Sequence, residues 1–352
     1  MKKTLIAMAV LGAASGFAMA ASNVTLYGVV ETGVVLEKAK DTSATVQMKS
    51  GFDQGSRWGI KGTEDLGNGY SVGFILEQGF NSDNGAEATN GKQFHRESIL
   101  NVKGGFGSLA WGRTGSLSSG AQSQHILTGW ALGTGYGLSS WTSIGTSFSR
   151  MDNVVSYVTP KMGGFTVHAM YSNGMSDDAN QWSKNNHYYG LGVKYQEAGI
   201  KSSLIFEATD GKGTAVKATA TTPAKKAVEP TYVVNYGLEY NMGSVTPMFA
   251  YQFATQDGGK RTHMFGLSAK VAVAGGDALI GARYLFGDKD YDTAKEEDVR
   301  AWNVGAAYVY PLSKRTALKA YAGYSDSDKA WSDEKKVNYN GYQVYLGMRH
   351  SF

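Results

Sequence analysis

Cysteine is absent from the 352 residues, so the chain can carry neither a disulfide framework nor a thiolate metal site. Proline, which interrupts the ladders of a sheet, occurs only five times. Past the N-terminus there is no apolar run long enough for a membrane-spanning helix. Charge of one sign is lacking as well: the formal net charge is +4, and Lys2 and Lys3 supply half of it, which gives no reason to expect a nucleic-acid partner. The six histidines are scattered without metal-ligand spacing, and no nucleophile elbow or His-Asp pairing stands out. Neither a cofactor nor an enzymatic activity is therefore expected. Asp288, Asp290 and Asp292 open like a calcium loop, but Thr293 stands where glycine is needed and Val299 where glutamate is needed.

Glycine is plentiful, with 46 residues, and tyrosine leads the aromatics with 21. At the N-terminus, Lys2 and Lys3 precede an apolar stretch to Ala14, and Ala18-Met19-Ala20 forms a small-x-small cleavage site. This pattern predicts a secretory signal peptide over 1–20 and a mature domain over 21–352, exported from the cytoplasm.

The mature sequence alternates with period two. In Tyr232-Val-Val-Asn-Tyr-Gly-Leu-Glu-Tyr240, the residues Tyr232, Val234, Tyr236, Leu238 and Tyr240 share one face, and Asn235, Gly237 and Glu239 share the other. Such strands sit between an apolar and a polar neighbour. Sixteen candidates recur, near 23–38, 55–64, 69–80, 94–104, 107–113, 153–159, 164–172, 186–196, 199–209, 231–242, 244–255, 261–273, 277–287, 299–310, 315–325 and 339–352. Their connections alternate between short (Leu66-Gly-Asn, Met242-Gly, Gly275-Gly) and long (81–93, 173–185, 210–230, 288–298, 326–338). The fold class this predicts is all-β: a transmembrane antiparallel β-barrel of sixteen strands with short periplasmic turns and long extracellular loops. Closure leaves no sheet edge, so hydrogen bonding can replace disulfides. The 210–230 segment, rich in Ala, Thr and Lys, reads as a solvated outer loop, and a barrel-based adhesin using it is an alternative reading.

Several motifs occur in order: Val24-Thr-Leu-Tyr-Gly28, Gly55-Ser-Arg-Trp-Gly-Ile-Lys-Gly-Thr-Glu-Asp-Leu-Gly67, Leu76-Glu-Gln-Gly-Phe80, Gly104-Gly-Phe-Gly-Ser-Leu-Ala-Trp-Gly-Arg113, Asp152-Asn-Val-Val-Ser-Tyr157, Pro160-Lys-Met-Gly-Gly-Phe165 and the terminal His350-Ser-Phe352. Together, across the whole mature chain, they resemble the general porins of Gram-negative bacteria, of the betaproteobacterial and neisserial type. The resemblance implies an outer-membrane homotrimer, each barrel a water-filled channel for passive diffusion of ions and small hydrophilic solutes. It also implies a third loop folded into the lumen and a terminal Phe352 read by the barrel assembly machinery. Outer-membrane lipid and lipopolysaccharide would be its surroundings.

The segment 114–151 follows the fifth strand and is the expected inward loop. It holds Trp130, Tyr136 and Trp141 and no charge before Arg150; Asp152 follows it. Residues matching the family's wall arginines are Arg57, Arg96 and Arg113. Arg57 and Lys61 share strand parity, and Glu31 and Glu77 fall on the predicted lumen face. These charges are expected to set a transverse field and a mild anion preference. They can equally pair across strands, Arg57 and Arg96 with Glu31 and Glu77. A selective channel, with Trp130, Tyr136 and Trp141 as a sugar track, is the second reading.

Overall fold

Period-two alternation gives each strand two unlike faces, and closing such strands into a ring sets one face outward and one inward. The computed structural model describes residues 23–120, 122–175, 185–211, 229–256, 258–291, 293–335 and 340–352. The expected signal peptide and most of the 210–230 segment lie outside the described residues, as does Asp292.

The strands are β1 (Asn23–Ala39), β2 (Thr45–Ser50), β3 (Arg57–Gly67), β4 (Tyr70–Gly79), β5 (Glu97–Gly104), β6 (Gly107–Gly115), β7 (Arg150–Val158), β8 (Phe165–Ser172) and β9 (Tyr188–Glu197). They continue as β10 (Ile200–Thr209), β11 (Thr231–Tyr240), β12 (Val245–Gln256), β13 (Lys260–Val273), β14 (Gly276–Lys289), β15 (Glu297–Pro311), β16 (Thr316–Ser327) and β17 (Gly341–Ser351). All form one sheet of antiparallel neighbours, and β1 pairs with β17 in the register Val29↔Ser351 and Ala39↔Gly341, which closes the ring.

The seventeen segments make sixteen staves, because β2 and β3 lie end to end along β1. Thr32↔Ser50 through Glu37↔Thr45 pairs β2 with one half of β1, and Asn23↔Thr63 through Val29↔Arg57 pairs β3 with the other. The stave expected at 55–64 is thus longer and interrupted. Residues 51–56 leave the ladder at Gly51, whose φ of 62° suits glycine, and fold inward. The alternation of Thr45 to Ser50 is too short to announce a strand by itself. The 326–338 segment, expected as plain loop, holds the helix Lys329–Lys335.

Burial is inverted relative to a water-soluble fold. Outward Leu267 is 68% exposed and Leu346 63%, whereas inward Asn235 and Asn303 are 0% exposed. A surface of that kind requires lipid or another protein around it. The outward faces of β8 to β17 carry a belt of half-exposed aromatics, including Phe165, Tyr189, Phe206, Tyr232, Tyr284, Trp302 and Tyr324. Those of β1 and β2 are aliphatic and small instead, with Val24, Leu26, Gly28, Thr32, Val34, Val46 and Met48.

Candidate pore constriction

Inside the ring, the segment 116–149 runs along the inner wall of β9 to β17. Wall carboxylates hold its first half. Glu97 accepts from Thr114 Oγ1 at 2.9 Å, and from Ser123 N and Oγ at 3.0 and 2.7 Å. Glu207, 0% exposed, accepts from Ser118 Oγ at 2.5 Å and from Tyr188 Oη at 2.8 Å. Glu239 accepts from Thr128 Oγ1 and from Gly129 N. Buried carboxylates need such donors, and the loop's hydroxyl and amide groups supply them.

A single arginine organises the second half. Arg283 Nε donates to Asn303 Oδ1 at 3.0 Å, and its terminal nitrogens donate to the Trp141 carbonyl at 2.5 Å, the Leu138 carbonyl at 3.2 Å and Ser143 Oγ at 2.6 Å. Its guanidinium also lies over the Trp130 and Trp141 rings, at 5.4 and 5.8 Å. These contacts tie the 3-10 turn Gly137–Ser139 and the one-turn helix Trp141–Ile144 to the wall at β14. Inward glycines on the staves make room for the loop: a methyl group at Gly237 would overlap the Thr128 carbonyl, and one at Gly281 would lie 2.6 Å from the Trp130 ring.

The loop leaves a space of about 290 Å³ against the opposite wall. One side carries three guanidinium groups: Arg57 at the start of β3, Arg96 just before β5 and Arg150 at the start of β7. The other side carries the loop's Ser119, Gln122, Thr134, Thr142 and Ser147. Glu77 on β4 ties the wall together. It accepts from Arg96 Nε at 2.6 Å and Tyr27 Oη at 3.0 Å, and lies 3.4 Å from Arg57 Nε. His95 shares this positive environment: burial, then Arg150, Arg96 and Arg113, push its imidazole down to about 4.

The remaining residues singled out in the sequence fall elsewhere. Arg113, at a register shift between β6 and β7, pairs with Asp152 and donates to the His95 carbonyl at 2.6 Å, while Lys92 takes the other Asp152 oxygen at 2.7 Å. Neither Arg113 nor Asp152 lines the arginine space. Lys61 lies 5.0 Å over the Tyr27 ring. Glu31 is fully buried and bonds Lys319 rather than any of the wall arginines. Trp130, Tyr136 and Trp141 are buried at 6%, 3% and 1%, so their rings pack into the wall and offer no track to a sugar. Phe352 closes the ring, exchanging backbone hydrogen bonds with Gly28 at 3.0 Å.

Asp53, Arg283, Lys319 and the loop-holding Glu97, Glu207 and Glu239 were not singled out from sequence. Strand parity does place Arg283 and Lys319 inward, but the loop groups that Arg283 holds and the carboxylates that Lys319 holds lie more than a hundred residues away. Among the described residues no group of three or more His, Cys, Asp or Glu could hold a metal ion.

A Gram-negative porin family profile matches residues 7–330. The chain belongs to that family. An outer membrane porin protein of Bordetella pertussis is 30% identical, with both chains covered in full. Outer membrane porin protein 32 of Delftia acidovorans is 32% identical, and the major outer membrane protein P.IB of Neisseria lactamica 30%, again over all of each chain. Among solved structures, an anion-selective porin from Comamonas acidovorans superposes with a TM-score of 0.67 at 24% identity, covering 94% of this chain and all of that one. A trimer form of the Vibrio cholerae outer membrane protein OmpT gives 0.64 at 17% identity, covering 94% of this chain and all of that one. The porin is thus an outer-membrane channel for diffusion, and the sixteen-stave ring is the family's fold.

Proposed function

We propose that this porin passes small hydrophilic solutes and ions with a mild preference for anions, that the arginine-lined space is its constriction, and that it performs no catalysis. The observation that carries this reading is the asymmetry of that space. Arg57, Arg96 and Arg150 face hydroxyl and amide groups, and the acids at hand are already engaged: Glu77 by Arg57 and Arg96, and Asp53 by Lys319. A ring of fixed positive charge at a narrow point lowers the barrier for anions and raises it for cations. The similarity to a porin described as anion-selective supports the same sign.

The functional unit on this reading is a homotrimer in lipid and lipopolysaccharide. Its subunit contact is the smooth outward face of β1 and β2, which lacks the aromatic belt found on β8 to β17. The mature chain starts at Ala21 after signal-peptide cleavage, the long loops face outward from the cell, and Phe352 serves the assembly machinery. Arg113 and Lys61 add to the positive potential from outside the narrow space.

Reversal potentials in planar bilayers under a KCl gradient test the reading. The native channel should sit on the anion side, and Arg96→Glu should move it toward cations. A native channel without anion preference, or an Arg96→Glu channel identical to it, would refute the proposed constriction.

A further inference from the structure

We infer that Lys319 sets the ion preference of this pore without touching the permeation path, by neutralising Asp53 at the edge of the arginine field; the inference rests on the anion-preferring constriction above.

Lys319 stands on the inward face of β16, and its side chain is 0% exposed. Its ammonium bonds Glu31 Oε2 at 2.8 Å and Asp53 Oδ2, and lies 5.6 Å over the Tyr136 ring. A fully buried ammonium is stable only when anionic partners replace its lost water. Here two carboxylates do so from opposite sides of one inward fold. Glu31 accepts the Asp53 and Gln54 amides at 2.7 and 3.3 Å, so it also sets the path of residues 51–56. Arg349 approaches Asp53 at 4.0 Å from the neighbouring stave.

Asp53 differs from Glu31 in one respect: it is 17% exposed and lines the same space as Arg57, Arg96 and Arg150. Its charge lies within electrostatic reach of Arg57. Released from Lys319, this carboxylate would present a negative charge to the space and cancel part of the guanidinium field. Charge opposite charge, at a constriction, is what decides the sign of the permeant ion. The preference therefore depends on a buried residue on the far side of the 51–56 fold, as well as on the three arginines that face the ion.

Two charge-matched variants separate this from a merely structural role. Glu31→Gln with Lys319→Met removes one positive and one negative charge and leaves Asp53 without its lysine. Lys319→Met with Asp53→Asn removes the same net charge and takes the carboxylate away. Full-length protein is refolded, its assembly is checked by heat-modifiable mobility, and reversal potentials are read in planar bilayers. The first variant should shift toward cations; the second should be at least as anion-preferring as the native channel. Equal reversal potentials for the two, or no shift in the first, would overturn the inference. Lys319→Gln with Glu31→Gln, which is also charge-matched and keeps a donor in the buried position, should give the same cationward shift and stands in if the first variant does not insert. A native channel lacking anion preference would remove the arginine reading, while the difference between the two variants would still report on Lys319.

Discussion

Single side chains in this porin act mainly through what they hold. His125 lies on the inward loop, and burial, opposed by a hydrogen bond with the Leu127 backbone and reinforced by Lys194, pushes its imidazole down to about 4 from an ordinary 6.5. A base depressed in the docked loop binds its proton more readily when the loop comes away. Protons therefore favour the detached loop as the pH falls from 6.5 toward 4, and docking is fully favoured above that window. Amide exchange of residues 116–149 should accordingly speed up across that window, and His125→Asn should flatten the dependence. An exchange rate that ignores pH after intrinsic correction would show that His125 is not coupled to docking.

At the scale of the element, the inward loop depends on a few wall residues. Arg283→Met removes the donor to Asn303 Oδ1 and one donor to the Trp141 carbonyl, while the Leu138 carbonyl keeps Asn303 Nδ2 and Ser143 Oγ; a buried group left without a partner costs roughly 1–3 kcal/mol. The barrel's own ladders do not involve that side chain. Single-channel conductance should therefore rise and become noisier while heat-modifiable mobility stays native. A quiet channel of native conductance would show that the loop holds its course without Arg283. The loop's inward course was legible from its length and its lack of charge before Arg150. What held it was not, because Glu97, Glu207, Glu239 and Arg283 read in the sequence only as charges on the inward parity of four strands. The interrupted second stave was also hidden, since six residues of weak alternation before Gly51 carry no distinctive strand signal.

At the scale of the whole molecule, the outward surface has two characters. The aromatic belt on β8 to β17 suits the lipid boundary, where such rings prefer to sit. The face of β1 and β2, with Leu26, Gly28, Val34 and Met48, suits close contact with another barrel. Val34→Arg would place a charge on that face, an insertion worth roughly 2–4 kcal/mol of destabilisation at mid-membrane. It should yield monomers in crosslinking while leaving folded barrels; undiminished trimer would place the contact elsewhere.

Alternation along Tyr232 to Tyr240 and its counterparts, with the rhythm of short and long connections, was enough for a barrel of sixteen strands, because period two is a local property of each strand. The ordered motifs from Val24 to Phe352 were enough for the family. Which charges meet was decided only by closure of the ring. Closure brought Lys319 beside Asp53 across 266 residues and Glu31 across 288, and with the path of the loop left Arg57, Arg96 and Arg150 facing one space. Parity tells which way a side chain points, but the partner it finds across the lumen depends on the curvature of the ring and on the path of the loop within it.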